Sequence, residues 1–301
     1  MLGIAIMAGC IGSGGSAEQP ELVWSQRGID PGRFEKPRAI AIDDQDRIYV
    51  VDMTARIQVF DTDGQYLRSW QTPDHSSGRP TGLSVGIDGH ILVADTHYHR
   101  LLVYSPQGEL LRMIGGTPGE APGEFGLVTD AVQDGQGNYY IGEYGEYDRI
   151  QKFTGDGRFV LQWGGHGDQP GQFHRPQNLE VDEQDRIWVA DACNHRIQVF
   201  DNQGKLLFLW GEPGGGAGEL YYPYDLELLH DGTVAVAEYG NHRIQRFTRD
   251  GQPLGCWGTH GRLPGQLDSP WGLVEDHSGR IHVLDTKNHR VQRVRIDRRP
   301  P

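Results

Sequence analysis

Lysine and arginine are scarce relative to acid in this 301-residue chain: 28 against 41 Asp and Glu, for a net charge of −13. A surface this acidic makes nucleic acid an improbable partner, because phosphate binding depends on Lys and Arg. Cysteine is rarer still. Cys10, Cys193 and Cys256 are too few for a disulfide framework and lack the spacing of a metal site. No apolar run approaches the ~20 residues of a membrane-crossing helix. No stretch of ten or more residues holds a helical stripe of apolar positions, and no G-x-S-x-G elbow, P-loop or dinucleotide fingerprint occurs. What the chain has in plenty is turn chemistry. Its 43 Gly and 17 Pro make up about a fifth of the residues, against roughly 12% in an average protein. Both residues are costly inside helices, so bundles and coiled coils are excluded.

A repeat organises the rest. The segments DQDRIYVVDMTARIQVFDTDGQYLRSW, EQDRIWVADACNHRIQVFDNQGKLLFLW and DGTVAVAEYGNHRIQRFTRDGQPLGCW are variants of one unit. The Arg that opens its third apolar run falls at 56, 100, 149, 196, 243 and 290, at spacings of 44, 49, 47, 47 and 47 residues. Period-2 alternation, as in Arg186-Ile187-Trp188-Val189-Ala190, marks half-buried strands. Asp63-Gly64, Asp156-Gly157 and Asp250-Gly251 mark tight hairpins. Four short strands per unit, repeated six times, predict an all-β, six-bladed β-propeller of four-stranded antiparallel blades. The blades are expected at 31–71, 76–116, 121–165, 169–212, 216–259 and 263–297. The sixth unit stops before an outer strand, and Glu21-Leu22-Val23-Trp24 has the missing pattern. Trp24 joins Trp70, Trp163, Trp210 and Trp257 in one column. The N-terminal strand is therefore expected to close the ring, with residues 21–301 forming the propeller.

The runs Asn194-His195-Arg196-Ile197-Gln198, Asn241-His242-Arg243-Ile244-Gln245 and Asn288-His289-Arg290-Val291-Gln292 resemble the NHL-repeat signature. Pro-Gly-x-Phe at 31–34, 122–125 and 170–173, with variants at 217–220 and 264–267, agrees with it. The resemblance implies fold more than function. Its relatives include binding domains of tripartite-motif ubiquitin ligases, extracellular sensor domains and a zinc-dependent amidating lyase. In that lyase the zinc histidines follow the proline that opens inner strands. Here those positions hold Arg38, Thr81, Thr129, Gln177, Tyr224 and Trp271. No metal site, cofactor or catalytic residue is expected on this basis. Residues 1–20 form a separate segment: Met7-Ala8-Gly9-Cys10 resembles the lipobox of bacterial lipoproteins, which implies lipid attachment at Cys10 and an extracytoplasmic location. Ile11 to Pro20 then reads as a flexible tether.

Six near-copies of one acid–arginine pair, with Asp52, Asp95, Glu143, Asp191, Glu238 and Asp285 as the acids, signal architecture. Each is expected to bridge the ends of a hairpin. Individuality lies in the face formed by the inter-blade loops and the loops between second and third strands. Those loops carry 13 basic and 17 acidic residues. Tyr98, Tyr144, Tyr147, Tyr221, Tyr222 and Tyr239 decorate them. Arg38, Gln177, Asn178, Tyr224, Asp225 and Trp271 are the candidate ligand-binding residues, because they sit where inner strands begin and differ from blade to blade. The leading expectation is non-catalytic binding of a protein, peptide or glycan. The alternatives are a propeller lyase or hydrolase with a metal at the channel mouth, and an NHL domain like those of ubiquitin ligases.

Overall fold

A computed structural model describes residues 19–296; Cys10 and most of the expected tether lie outside the described residues. Six four-stranded antiparallel sheets surround a central channel. Blade 1 shows the plan: inner strand Ala39–Ile42, second Ile48–Val51, third Arg56–Phe60 and outer Tyr66–Gln71. The inner strands of blades 2 to 6 are Gly82–Val85, Leu127–Gln133, Pro176–Val181, Pro223–Leu228 and Gly272–Glu275. Each falls within its expected blade.

The ring closes as the sequence predicts. Leu22–Trp24 pairs antiparallel with Arg290–Val294, with Leu22 opposite Arg293 and Trp24 opposite Val291. This supplies the fourth strand of blade 6 and leaves no gap in the wheel.

The core is divided into slabs between neighbouring blades. Tyr49, Ile57 and Val59 of blade 1 pack with Leu83, Val93 and Leu102 of blade 2. At the seam, Trp24, Val274, Leu284 and Val291 of blade 6 pack with Phe34, Ile40 and Phe60 of blade 1. The tryptophan column holds these slabs together along the outside. Trp24 lies over the hairpin turn of blade 1, where a Cβ on Gly64 would come within 2.5 Å of its ring, and Trp70 lies over Gly108 in the same way. Gly64 has φ of +75° and Gly108 of +93°, so turn geometry and the ring overhead both require glycine.

Each Pro-Gly-x-Phe loop doubles back on itself. Parallel bridges join Arg27 to Phe34, Pro118 to Phe125 and His166 to Phe173, and the variants do likewise at Pro213–Leu220 and Thr259–Gln266. The apolar residue that ends each motif is fully buried.

Closure through three residues of strand makes a sharp expectation. Deleting residues 21–24 removes the Trp24 slab and exposes the third strand of blade 6, so thermal melting by circular dichroism falls by several degrees or more. Deleting residues 1–18 is expected to cost far less than deleting 21–24. Equal losses from both deletions contradict the closure.

Candidate functional site

The repeated polar residues do more than bridge a hairpin. Arg196 Nε donates to Asp191 Oδ2 at 2.8 Å, while its two terminal nitrogens donate to the carbonyls of Asp168, Gln169 and Gln172 in the inter-blade loop. Asp191 Oδ1 also accepts from the His174 backbone at 2.7 Å. Gln198 completes the grip: Gly171 N donates to its Oε1, and its Nε2 donates to Gln172 O. Arg243 with Glu238 and Arg290 with Asp285 make the same contacts. Each pair thus fastens two loops, a wider role than the sequence predicted. Burial pushes the Asp191, Glu238 and Asp285 carboxyls upward even with an arginine beside them. Desolvation is the larger effect, so these pairs determine geometry more than they add stability.

The histidine before each of these arginines is a latch between blades. His195 Nδ1 accepts from Tyr222 N, His242 Nδ1 from Ser269 N, and His289 Nδ1 from Lys36 N, all at 2.9 to 3.0 Å. The last of these crosses the seam from blade 6 to blade 1. In blade 3 Asp148 takes the histidine's place, and its Oδ1 accepts from Arg175 N at 3.0 Å.

His242, His260 and Asp268 bring possible ligand atoms within 4.8 Å of one another. The latch disqualifies the group as a metal site. With the Nδ1 lone pair of His242 engaged by Ser269 N–H, its Nε2 must keep the proton, and neither nitrogen is available to a metal.

All six candidate residues gather at one place. Arg38, Gln177, Asn178, Tyr224, Asp225 and Trp271 line a single constriction at the mouth of the channel. Tyr224 stacks on Tyr239 with ring centroids 4.4 Å apart, and the Trp271 ring stands edge-on to both at 5.0 and 5.7 Å. Arg38 lies over the Trp271 ring at 5.5 Å. Arg175 lies between the Tyr144 ring at 4.7 Å and the Tyr224 ring at 5.2 Å, and its Nε donates to Gln177 Oε1 at 2.8 Å. Tyr224 is buried by this packing, whereas Arg38 and Trp271 are half-exposed. Asn178 and Asp225 sit deeper and cap inner strands, which have no partner strand on the channel side. Asp130 Oδ2 accepts from Leu179 N, Asn178 Oδ1 from Leu226 N, and Asp225 Oδ2 from Leu273 N, at 2.7 to 3.1 Å. Blades 6, 1 and 2 carry Gly272, Ile40 and Gly82 at the equivalent positions, so the channel is polar along one side only.

Below the mouth the channel widens into a cavity of about 230 Å³, lined by Ser84, Glu180 and Glu227 beside Ile42, Val132 and Val274. Burial raises the Asp130 carboxyl to about 7 and holds the Asp225 carboxyl well above its usual range. Glu180 and Glu227 are raised for the same reason, with the negative charge of Glu227 adding to the effect on Glu180 and that of Glu275 to the effect on Glu227.

Sequence reasoning did not select Arg175, Asp130, Glu180 or Glu227. A signal for the glutamates was present: both interrupt apolar inner strands at positions that alternate with core residues. Arg175 gave no such signal, because it comes to the mouth only through the left-handed turn before Pro176.

The family model for the NHL repeat matches residues 78–104 and 173–200. NHL repeat-containing protein 3 from mouse is 31% identical over 160 residues, which are 48% of this chain and 45% of that protein. The peptidylglycine alpha-amidating monooxygenase of rat is 30% identical over 185 residues, 58% of this chain and 18% of that protein. The chain therefore spans less than half the length of these relatives. Among solved structures, a streptogramin B lyase aligns with a TM-score of 0.65 at 16% identity, covering 90% of this chain and 96% of that one. The WD40 propeller domain of Doa1 aligns at 0.60 with 14% identity, covering 93% and 94%. Similarity at these identities is similarity of fold alone. Together with the repeat signature and the six closed blades, these matches show a six-bladed β-propeller that carries NHL repeats.

The zinc implied by the amidating relatives does not fit the residues present. Arg38, Thr81, Gln177, Tyr224 and Trp271, which occupy the expected histidine positions, do converge on the mouth. They offer two aromatic rings, two hydroxyls, an amide and a guanidinium, with a second guanidinium from Arg175 nearby. This is no donor set for a zinc ion, and no reaction step is derived through one.

The channel acids make stability depend on pH. A carboxyl raised on folding binds its proton more tightly in the native state, so stability is full below about pH 4 and declines as pH rises through the native value. Replacing Asp130 by Asn removes this cost. The melting temperature of Asp130→Asn relative to the parent is expected to rise between about pH 5 and pH 8. A constant difference across that range means that Asp130 ionises freely in the fold.

Proposed function

We propose that this propeller is a binding module that takes a protein, peptide or glycan ligand at the mouth of its channel. The observation that carries the proposal is the convergence of Arg38, Gln177, Tyr224 and Trp271, none of them part of the repeat, on one constriction. Structural demands repeat from blade to blade, whereas a site for one ligand needs different groups in different blades. Rigid rings with polar tips give contact area at low entropic cost, and the six inner strands hold them on a frame that need not move. The lipobox resemblance at Cys10 supports placing the module outside the cytoplasm on a lipid tether.

The structural likeness to streptogramin B lyase and the sequence match to an amidating monooxygenase keep a lyase in view as a second reading. Its chemistry would need a different centre from the histidine set of the amidating enzymes.

Pull-down from an extracytoplasmic fraction, followed by titration of the captured ligand, tests the first reading. Trp271→Ala and Tyr224→Ala are expected to weaken binding about tenfold or more, at the scale of aromatic anchors in interfaces, and to leave the six-bladed fold intact by circular dichroism. Unchanged affinity in both variants excludes this mouth as the site.

A further inference from the structure

Resting on that reading, we infer that the mouth is built for an anionic ligand, in particular a carboxylate borne on a flat apolar body. The loops around it total more acid than base, but the acids of the repeat are already committed. Asp52, Asp95, Glu143, Asp191, Glu238 and Asp285 are buried against Arg56, Arg100, Arg149, Arg196, Arg243 and Arg290. Asp74 is paired with Arg100 and Asp268 lies 3.8 Å from Lys287.

What remains at the centre is positive charge. Among the described residues the Arg38 guanidinium donates to no acceptor and pairs with no carboxylate, and the Arg175 guanidinium donates only to Gln177. The groups acting on Arg38 are the Arg175 and Arg79 guanidiniums and the Tyr144 and Tyr239 phenols, and burial lowers its hold on its proton. Arg79 is already engaged by the carbonyls of Met53, His75 and Gly78. Two half-buried cations with unused donors are costly unless an anion completes them.

Geometry narrows the anion. The Trp271 ring, 5.5 Å from Arg38, and the Tyr144 and Tyr224 rings, 4.7 and 5.2 Å from Arg175, restrict where each guanidinium sits. Planar guanidiniums restricted in this way match the two oxygens of a carboxylate. The space between these side chains is about 20 Å³, enough for the tip of a ligand only, so the body of the ligand must lie on the aromatic rim. Asp130 and Asp225 line the same constriction, and burial shifts both carboxyls toward the neutral acid, which weakens their repulsion of an anion.

Three probes of one shape and different charge test this: benzoate, benzamide and benzamidinium, titrated into the propeller by calorimetry. Benzoate is expected to bind about tenfold or more tightly than benzamide, the scale of a charge-assisted hydrogen bond, with benzamidinium weakest. Arg38→Gln and Arg175→Gln each reduce benzoate affinity about tenfold, while Arg262→Gln, which removes the same charge from an exposed loop, does not. Equal binding of benzoate and benzamide, or unchanged binding in both mouth variants, overturns the inference. If all three probes bind alike and Trp271→Ala abolishes them, the mouth remains a binding site and only its preference for anions is wrong. If no probe binds saturably while the captured ligand still depends on Trp271 and Tyr224, the inference fails and the binding reading stands.

Discussion

Everything else in this molecule depends on a buried acid at the end of each second strand, gripped by the arginine that opens the third. The pair has a modest net effect on stability, since removing two charges from water costs about as much as their attraction returns. Its importance lies in the spare capacity of both partners. An arginine offers five N–H donors and a carboxylate can accept about four hydrogen bonds. Once Arg196 and Asp191 have met, the remaining donors and lone pairs are free to hold Asp168, Gln169, Gln172 and the His174 backbone. Each blade therefore carries its own clamp for the loop that leads into it.

Clamps within blades and latches between them give a rim of fixed geometry. Histidine latches tie the loops entering blades 5 and 6 to the blade before, Asp148 does the same for blade 4, and at the seam His289 joins the last blade to the first. Trp24 and the strand around it seal the same junction from outside. With the loop backbones held, side chains at the starts of the inner strands have little freedom in where they point. That is why Arg38, Gln177, Tyr224 and Trp271, from four different blades, meet at one constriction. The same economy accounts for the channel wall, where Asp130, Asn178 and Asp225 cap the exposed N–H groups of their neighbours' inner strands. Three blades use polar side chains for this and three do not, so the channel has a polar side and an apolar one.

Much of this was legible in the chain. The 47-residue spacing of Arg149, Arg196, Arg243 and Arg290 gave the number and width of the blades, because a repeated strand pattern has few ways to bury its apolar faces. The orphaned Trp24 pattern gave the closure. The mouth residues were recognisable as departures from the repeat. Charge was misleading at the level of counting. A sum over the loops treats Asp191 and Arg175 as equal and opposite, yet one is buried against its own arginine and the other has no counterion among the described residues. Burial decides which charges a ligand meets, and a sequence does not display burial one residue at a time.

The sequence by itself determined the local and repeating features: strand periodicity, glycine turns, the Pro-Gly-x-Phe loops and the count of six. These follow from short-range sterics and the need to bury alternate side chains, and every unit states them again. Only the tertiary structure decided the meetings between residues far apart in the chain. The stacking of Arg175 on Tyr224, the reach of His289 to Lys36, and the raised carboxyls of Asp130 and Asp225 exist because a closed ring brings separate blades together and excludes water between them.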